Sequence, residues 1–193
     1  MSMISKVPLK FCVPLLALAS CAVHADETNP QQFLFGNYGT YLKKPTFNYG
    51  PGEFKTHAAN QYTVGVGAIL KQHHRVKFGY TFGEFKAGEP SQYDHTNMLF
   101  TQYDYLFPIE SNINLTAGAM AGYQFSAHKV DKVMINGPVI GAQIGAEYRY
   151  EQLGFEVGYH YNIHLKDHKY EDGVKLTQKD DQTVTMGINY YFK

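Results

Sequence analysis

The sequence predicts an all-β chain that folds as an eight-stranded, antiparallel, up-and-down transmembrane β-barrel. Three observations predict this fold class. Segments of about ten residues or more alternate between apolar and polar side chains, which is the length that a tilted strand needs to cross a bilayer. The connections between them alternate between short and long, and aromatic residues cluster near the ends of the apolar faces. The composition agrees, because Tyr (16), Phe (13) and Gly (18) are abundant and favour strands and turns.

Period-two alternation marks a strand with two different faces. In residues 61–72, for example, Tyr62, Val64 and Val66 share one face, and Gln61 and Thr63 share the other. The segments with this pattern are residues 61–72, 75–86, 99–107, 113–126, 140–150, 155–165 and 183–192.

An eighth strand is predicted over residues 33–43, where the alternation is weaker. Its expected outward residues are Leu34, Tyr38 and Leu42, and its expected inward residues are Asn37 and Lys43. Phe33 and Phe35 break the pattern. An even, closed count is favoured because an open sheet edge in lipid leaves backbone groups unpaired.

A soluble β-sandwich also alternates, but its strands are usually nearer five or six residues. The expected short connections are residues 72–74, 108–112 and 151–152, and the long ones are 44–60, 87–96, 127–137 and 166–181. Short turns at one end and long loops at the other are typical of bacterial outer-membrane barrels. Aromatic rings at both ends of the apolar faces match the preference of such rings for the two membrane interfaces.

The N-terminus resembles a secretory signal over residues 1–25, which leaves residues 26–193 as the barrel. Lys6 and Lys10 precede a short apolar core, and Val23-His24-Ala25 offers a cleavage site. A membrane anchor is an alternative, and so is lipidation of Cys21 in Leu18-Ala19-Ser20-Cys21. Both cysteines lie in this segment, so no disulfide or thiol chemistry is expected in the barrel.

The charge balance of the predicted mature chain excludes one class of partner. Removing Lys6 and Lys10 from the 17 basic residues leaves 15, against 17 acidic residues, which is a net charge of −2. A nucleic-acid-binding protein needs a basic surface, so no nucleic-acid partner is expected.

The inward faces carry charges near the short-turn end. We expect three cations and three anions to pair there as a structural plug, because eight strands leave an interior that side chains fill and buried charges must be paired. These residues are Arg75, Lys77, Arg149, Asp104, Glu147 and Glu156. The alternative is a proton or ion path through Glu147, Arg149 and Glu156. Inward glycines are expected to make room for bulky polar partners.

The last strand carries the closest family resemblance. Gly187, Asn189, Tyr190 and Phe192 lie in a terminal segment that resembles the signal read by the outer-membrane assembly machinery. Residues 33–192 resemble the small outer-membrane β-barrel family, which includes the OmpX/Ail-type barrels and the transmembrane domain of OmpA. Lys193 departs from that pattern, because the family usually ends at the aromatic residue.

The resemblance implies a multi-pass protein of the outer membrane, in contact with its lipid and lipopolysaccharide and with the assembly machinery. It also implies a non-enzymatic role in adhesion, colonisation, serum resistance or envelope integrity, exerted through four surface loops on a host or surface ligand. No cofactor is expected. The alternatives are a lipid-A-modifying hydrolase and a small-solute channel.

Two kinds of loop residue are candidates for contacts or chemistry. Exposed aromatics are candidates for protein contact, and loop histidines are candidates for Zn or Cu binding. The candidate contacts are Phe47, Tyr49, Phe54, His57, His95, His128 and His168. For the hydrolase, no His is followed by Ser two residues later, and only Ser126 and His128 stand in the reversed order.

Overall fold

The computed structural model describes residues 30–43, 46–49, 52–55, 59–86, 93–126, 136–166, 168–169 and 175–193. The predicted signal segment, residues 1–25, and both His57 and His128 lie outside these residues. The strands in the described part are β1 (Gln31–Lys43), β2 (Thr46–Tyr49), β3 (Gly52–Lys55), β4 (Ala59–Leu70), β5 (His74–Lys86), β6 (Tyr93–Glu110), β7 (Ile113–Ser126), β8 (Gly137–Tyr150), β9 (Leu153–His164), β10 (His168–Lys169), β11 (Lys175–Gln178) and β12 (Asp181–Tyr191). Within the same part of the chain, no helix is long and apolar enough to cross a membrane.

Eight strands close into a barrel in the order β1-β12-β9-β8-β7-β6-β5-β4, and β4 pairs with β1 to complete the ring. Every pair in the ring is antiparallel. The first and last strands, β1 and β12, pair over ten residue pairs, from Phe33↔Tyr191 to Lys43↔Gln182. The predicted fold class is therefore confirmed. Closure satisfies the backbone groups of every strand, which is the condition for spanning lipid.

Side chains alternate along each barrel strand as the sequence predicts. In β8, Gln143 and Glu147 are buried inside, whereas Ile140 and Ile144 are exposed outside. The outer surface carries a broad apolar band, with Val64 60%, Ile144 61% and Met186 61% exposed. A soluble monomer rarely exposes a continuous apolar surface of this kind.

Two predicted boundaries differ from the structure around β6. This strand spans Tyr93–Glu110, so it takes residues from both the predicted loop 87–96 and the predicted turn 108–112. Pro108 pairs with Asn114, and the register shifts between Pro108 and Glu110. A bulge is a place where a sheet tolerates proline, which explains why the strand continues past it.

The two longest predicted loops, 44–60 and 166–181, contain regular structure that the sequence analysis did not predict. Strands β2, β3, β10 and β11 form a four-stranded sheet in the order β10-β11-β2-β3. We call it the outer sheet, because it lies beyond the strand ends opposite the short turns. The sequence predicted these segments only as long connections.

The outer sheet continues the ladders of the barrel past its rim. The β1–β12 ladder shifts by one residue between Tyr41 and Lys43, where Lys43 pairs with Gln182. Four residues further on, Phe47 pairs with Gln178 in the same new register. The β1–β4 pairing continues as β2–β3, and the β9–β12 pairing continues as β10–β11, each after a one-residue shift. Strands β9, β12, β1 and β4 therefore rise beyond the rim as one wall, bent by bulges where it leaves the barrel.

Candidate functional site

The lumen near the short-turn end is crossed by an ion pair. Arg75 on β5 and Glu156 on β9 lie four strands apart in the eight-stranded ring, on opposite walls. Arg75 Nη2 is 2.8 Å from Glu156 Oε1. Lys77 on β5 joins the same carboxylate, with Nζ 2.8 Å from Glu156 Oε2. These contacts tie the two walls of the barrel together across its diameter.

Arg75 also holds two further carboxylates. Its Nη2 is 2.8 Å from Asp104 Oδ2 on the neighbouring strand β6, and its Nη1 is 3.6 Å from Glu147 Oε2 on β8. Asp104 accepts additional hydrogen bonds from Gln102 Nε2 at 2.9 Å and Gln143 Nε2 at 2.6 Å. A buried guanidinium has donors on three sides, so it suits a site with several carboxylates.

Glu147 and Glu156 are directly opposed across the β8–β9 ladder. Two like charges in this position repel each other, and the last strand supplies donors that offset the repulsion. Asn189 Nδ2 donates to Glu147 Oε1 at 2.8 Å and to Glu156 Oε2 at 3.1 Å. The Tyr191 hydroxyl also donates to Glu147 Oε1. Side chains therefore connect β12 to both β8 and β9, in addition to the backbone pairing of β12 with β9.

Arg149 lies at the edge of this network. Its side chain is 23% exposed, Nε is 3.7 Å from Glu147 Oε2, and its guanidinium stacks 4.0 Å from the centre of the Tyr191 ring. Its Nη1 donates to Gln31 Oε1 at 2.9 Å. Six inward charged residues thus meet in one place, which we call the plug: Arg75, Lys77, Asp104, Glu147, Arg149 and Glu156.

An apolar cluster fills the rest of this end of the lumen. Phe33 packs against Tyr191 and Phe35, with ring centroids 5.1 and 6.2 Å apart. Lys77 Nζ lies 5.2 Å from the centre of the Phe35 ring. Phe33 and Phe35 depart from the polar-inside pattern because they occupy lumen space beside the plug.

The inward glycines leave space for two kinds of neighbouring side chain, aromatic and polar. A Cβ at Gly67 would clash with the Phe33 ring, and one at Gly65 would clash with the Phe78 carbonyl oxygen and come within 2.6 Å of the Phe35 ring. Others face polar groups, since a Cβ at Gly141 would come within 2.5 Å of Asn162 Oδ1. The expectation that these glycines accommodate polar partners was therefore incomplete, since several make room for phenylalanine rings.

A second cluster closes the other end of the lumen, and the sequence analysis missed it. His164 Nε2 lies 2.7 Å from Asp181 Oδ2, and Asn162 Nδ2 donates to Asp181 Oδ1 at 2.9 Å. Gln178 Nε2 lies 2.9 Å from His164 Nε2, and Gln124 Nε2 donates to Gln178 Oε1 at 3.1 Å. We call these five residues the mouth cluster. This cluster was not predicted because Asp181 and Gln178 fall in residues 166–181, which the sequence predicts as a long connection.

Known structures share this architecture. Neisserial surface protein A has a TM-score of 0.61 and 15% sequence identity, over 83% of this chain and 97% of that protein. The outer membrane protein OprG from Pseudomonas aeruginosa has a TM-score of 0.57 and 12% identity, over 86% and 97% of the two chains. The outer membrane protein AlkL, studied in lipid bilayers, has a TM-score of 0.54 and 11% identity, over 88% and 93%. The fold is that of the small outer-membrane β-barrels. No family model and no curated protein matches the chain.

Four of the candidate loop contacts lie in the outer sheet, His95 lies elsewhere, and His57 and His128 lie outside the described residues. Phe47 and Tyr49 lie on β2, where Phe47 pairs with Phe54 on β3, and His168 lies on β10. His95 lies on β6, stacked on Phe82 with ring centroids 5.0 Å apart. In the described part of the chain, no group of three or more His, Cys, Asp or Glu side chains is placed to hold a metal ion.

The residues of the predicted assembly signal divide between the two faces of β12. Tyr190 and Phe192 are exposed on the outside, at 43% and 44%. Asn189 is fully buried in the plug region, and Gly187 packs against Asn37. The same short segment thus contributes both to the outer aromatic belt and to the inner hydrogen-bond network.

Proposed function

We propose that this protein is an exported barrel of the outer membrane whose outer sheet forms a non-enzymatic contact surface for a host or surface ligand. The observation that carries the proposal is the continuation of three barrel ladders into the outer sheet. The outer-sheet strands pair with one another and follow on from barrel strands, so they present a more rigid surface than a set of independent loops would. A rigid surface loses less conformational entropy when it binds.

Insertion in the outer membrane is supported by the outward face. Its exposed apolar side chains run around the barrel, and aromatic residues such as Tyr103, Tyr148, Tyr150 and Phe155 gather at the short-turn end. Aromatic girdles of this kind lie at membrane interfaces. We assign the short-turn end to the periplasm and the outer sheet to the cell surface, in contact with lipopolysaccharide, because long connections lie outside in such barrels.

The plug argues against the alternative of a small-solute channel. Arg75, Asp104 and Glu147 are fully buried, and the contacts of Arg75 with Glu147 and Glu156 cross the lumen. An open pore of useful width needs more strands or a cleared interior. Single-channel recording in a planar bilayer tests this directly, and we expect no steady conductance from the purified barrel.

The hydrolase alternative is tested by the mass of lipid A, which such an enzyme would change. Ser126 lies at the end of β7, and His128 lies outside the described residues. Mass spectrometry of lipid A from expressing cells is expected to match that of cells with empty vector.

The surface role can be tested in a bacterial strain that does not itself adhere to host cells. It would express the intact barrel or a variant in which residues 45–57 and 167–178 are replaced by short turns. These cuts spare Asn60, Asp180 and Asp181, which bind barrel residues. A matched control replaces only residues 87–92, which lie outside the outer sheet.

We expect the intact barrel to raise adherence to host cells or survival in serum. The outer-sheet variant is expected to lose that gain, and the control is expected to keep it at equal surface levels. A gain that survives removal of the outer sheet would contradict the proposal.

Export through a cleaved signal segment belongs to the same proposal. The intact mass of the membrane-extracted protein is expected to match a chain that starts at Asp26. A mass that corresponds to a lipidated chain starting at Cys21 would replace this with the lipoprotein alternative.

A further inference from the structure

The turn that joins β4 to β5 holds a lysine in an uncommon backbone conformation. Lys71 and Gln72 are both exposed, and their φ angles are 49° and 64°. Glycine and asparagine adopt this left-handed region at less cost than residues with longer side chains. The shape of the turn therefore does not explain why a lysine stands there.

Two histidines and two tyrosines lie beside this turn, at the short-turn end of β5 and β6. His74 Nδ1 is 2.7 Å from the Tyr103 hydroxyl, and the His74 ring meets the Tyr105 ring edge-on, with centroids 5.5 Å apart. His73 stacks on Tyr105 with centroids 5.7 Å apart, and its Nδ1 donates to the Leu106 carbonyl oxygen at 3.2 Å. Packing and hydrogen bonds therefore hold both imidazole rings in place at the surface.

The charge around this turn is of one sign. Among the described residues, the outward faces of β4 and β5 carry no carboxylate between Lys71 and Glu84, which lies near the opposite rim. Asp104 on the adjoining strand β6 is fully buried in the lumen, where it binds Arg75. Glu110 ends β6 and belongs to the next turn. An anion in front of Lys71 would therefore meet a cation and hydrogen-bond donors without a competing acidic group on these two strands.

Two other places on the barrel surface lack this combination. The turn between β8 and β9 has Glu151 in the same left-handed conformation, with a φ of 54°, so its charge is negative. Near the outer rim, Glu84 Oε1 lies 4.0 Å from His95 Nδ1, so a carboxylate accompanies the histidine there. The β4–β5 turn thus differs from both in sign and in the number of donors.

We infer that Lys71, His73, His74, Tyr103 and Tyr105 bind the headgroup phosphate of an anionic phospholipid in the periplasmic leaflet. We call these five residues the headgroup site. The inference rests on the proposed insertion in the outer membrane, and it names one class of lipid that the barrel selects from its surroundings.

The chemistry of the headgroup site suits both parts of a phospholipid. A lysine extends its ammonium group away from an apolar surface on a flexible stem, and charge-assisted hydrogen bonds to phosphate are stronger than neutral ones. A hydroxyl of Tyr103 that donates to His74 Nδ1 leaves the proton of the neutral imidazole on Nε2, where it is available to the phosphate. Further along β5, the outward residues Val76 and Phe78 are apolar and suit the acyl chains.

A fluorescent reporter beside the headgroup site tests the inference. The chain has no Trp, so Phe107→Trp, at an outward position 48% exposed and in contact with Tyr105, supplies a single emitter. Phe155→Trp, 45% exposed on β9 and four strands from β5 in the ring, is the matched reporter away from the site.

Each protein is refolded into phosphatidylcholine vesicles that contain a minor fraction of brominated phosphatidylglycerol or brominated phosphatidylcholine. Bromine quenches tryptophan only at short range, so the difference between the two lipids reports which headgroup is enriched beside the reporter. Both leaflets have the same composition, so the direction of insertion does not affect the result.

At the Phe107→Trp reporter, we expect phosphatidylglycerol to be bound about five-fold more strongly than phosphatidylcholine, which is the factor that one lysine contributes near anionic lipid. At the Phe155→Trp reporter, the two lipids should quench equally. Lys71→Asn removes the cation and suits the left-handed conformation, so most of the preference should be lost while the urea midpoint is unchanged or higher.

Two further variants, each combined with Phe107→Trp, separate the binding chemistry from the shape of the turn. Gln72→Asn makes the same kind of backbone change as Lys71→Asn without altering the charge, so it is the matched control and should keep the preference. His74→Phe keeps an aromatic ring at the interface but removes both ring nitrogens, so it should lower the preference.

Three results would overturn the inference: equal quenching by the two lipids at Phe107→Trp, an equal preference at both reporters, or a loss in Gln72→Asn as large as that in Lys71→Asn. Quenching by both lipids without any preference would contradict the headgroup site alone. Absence of quenching by either lipid at both reporters would contradict membrane insertion, and with it the proposed function.

Discussion

Arg75 and Glu156 face each other across the full width of the barrel, with Nη2 and Oε1 2.8 Å apart. The pair joins β5 and β9, which share no backbone hydrogen bond because they are four strands apart in the ring. Side chains alone therefore connect these two walls, and the other members of the plug arrange themselves around this contact. Its removal is the most direct test of what the plug contributes.

Glu156→Ala is expected to destabilise the barrel by about 3–5 kcal/mol, because removing one partner of a buried ion pair leaves uncompensated charge. Lys77 loses its only ion-pair partner among the described residues, whereas Arg75 keeps Asp104 and Glu147. Urea unfolding in lipid vesicles, followed by tyrosine fluorescence since the chain has no Trp, measures the change. Glu110→Ala, at an exposed strand end, should stay within about 0.5 kcal/mol of the parent chain.

Tyr191→Phe is expected to lower the free energy of unfolding by about 1–2 kcal/mol, since it removes a hydroxyl that donates to the buried Glu147 carboxylate. The neighbouring substitution Tyr190→Phe removes a hydroxyl from the outer face, where the ring is 43% exposed. It should leave stability unchanged. Equal effects of the two substitutions in the same vesicles would show that the inner hydrogen bond contributes nothing.

Gly67→Ala is expected to destabilise the barrel by about 1–3 kcal/mol through overpacking, because the new methyl group meets the Phe33 ring. Gly36→Ala is the matched control on β1, since nothing lies within 4 Å of a Cβ at that position. It should be neutral or slightly stabilising. Phe33→Leu combined with Gly67→Ala should recover part of the loss, and no recovery would place the strain elsewhere.

Ile144→Lys tests the membrane assignment of the outer face. Ile144 lies near the middle of β8 and is 61% exposed, so a lysine there should cost about 2–4 kcal/mol in vesicles. Ile109, near the periplasmic turn and 59% exposed, is the comparison. Ile109→Lys should cost about 0–1 kcal/mol. If neither substitution changes the free energy of unfolding, this face does not lie in lipid.

Phe192→Ala separates assembly from stability. The ring lies on the outer face and is 44% exposed, outside the buried network that Asn189 and Tyr191 form. If the terminal segment is a recognition signal, folded protein in cells should fall several-fold while refolding into vesicles is nearly unchanged. A parallel loss in both assays would indicate a purely structural role for this residue.

The alternation of side chains was enough to assign faces. Val64 and Ile144 outside, and Arg75 and Glu147 inside, follow from a period of two that each strand carries locally. Phe33 and Phe35 could not be assigned in this way, because an inward phenylalanine is explained only by the small residues opposite it. Gly65 and Gly67 provide that space, and they belong to a different strand.

The outer sheet was not predicted from the sequence, for a related reason. Its strands have two to four residues, too few for alternation to be recognised. They are strands because the barrel ladders below them continue upward in a shifted register. The mouth cluster was missed with them, since Gln178, the last residue of β11, meets Gln124 of β7 only in the folded barrel.

The sequence by itself determined that the chain forms eight amphipathic strands and, apart from Phe33 and Phe35, which face each side chain takes, because both follow from the local geometry of extended backbone. Only the tertiary structure decided which lumen residues meet, because their heights depend on register accumulated around the whole ring. That register brings Arg75 into contact with Glu156, and Gln178 into contact with Gln124.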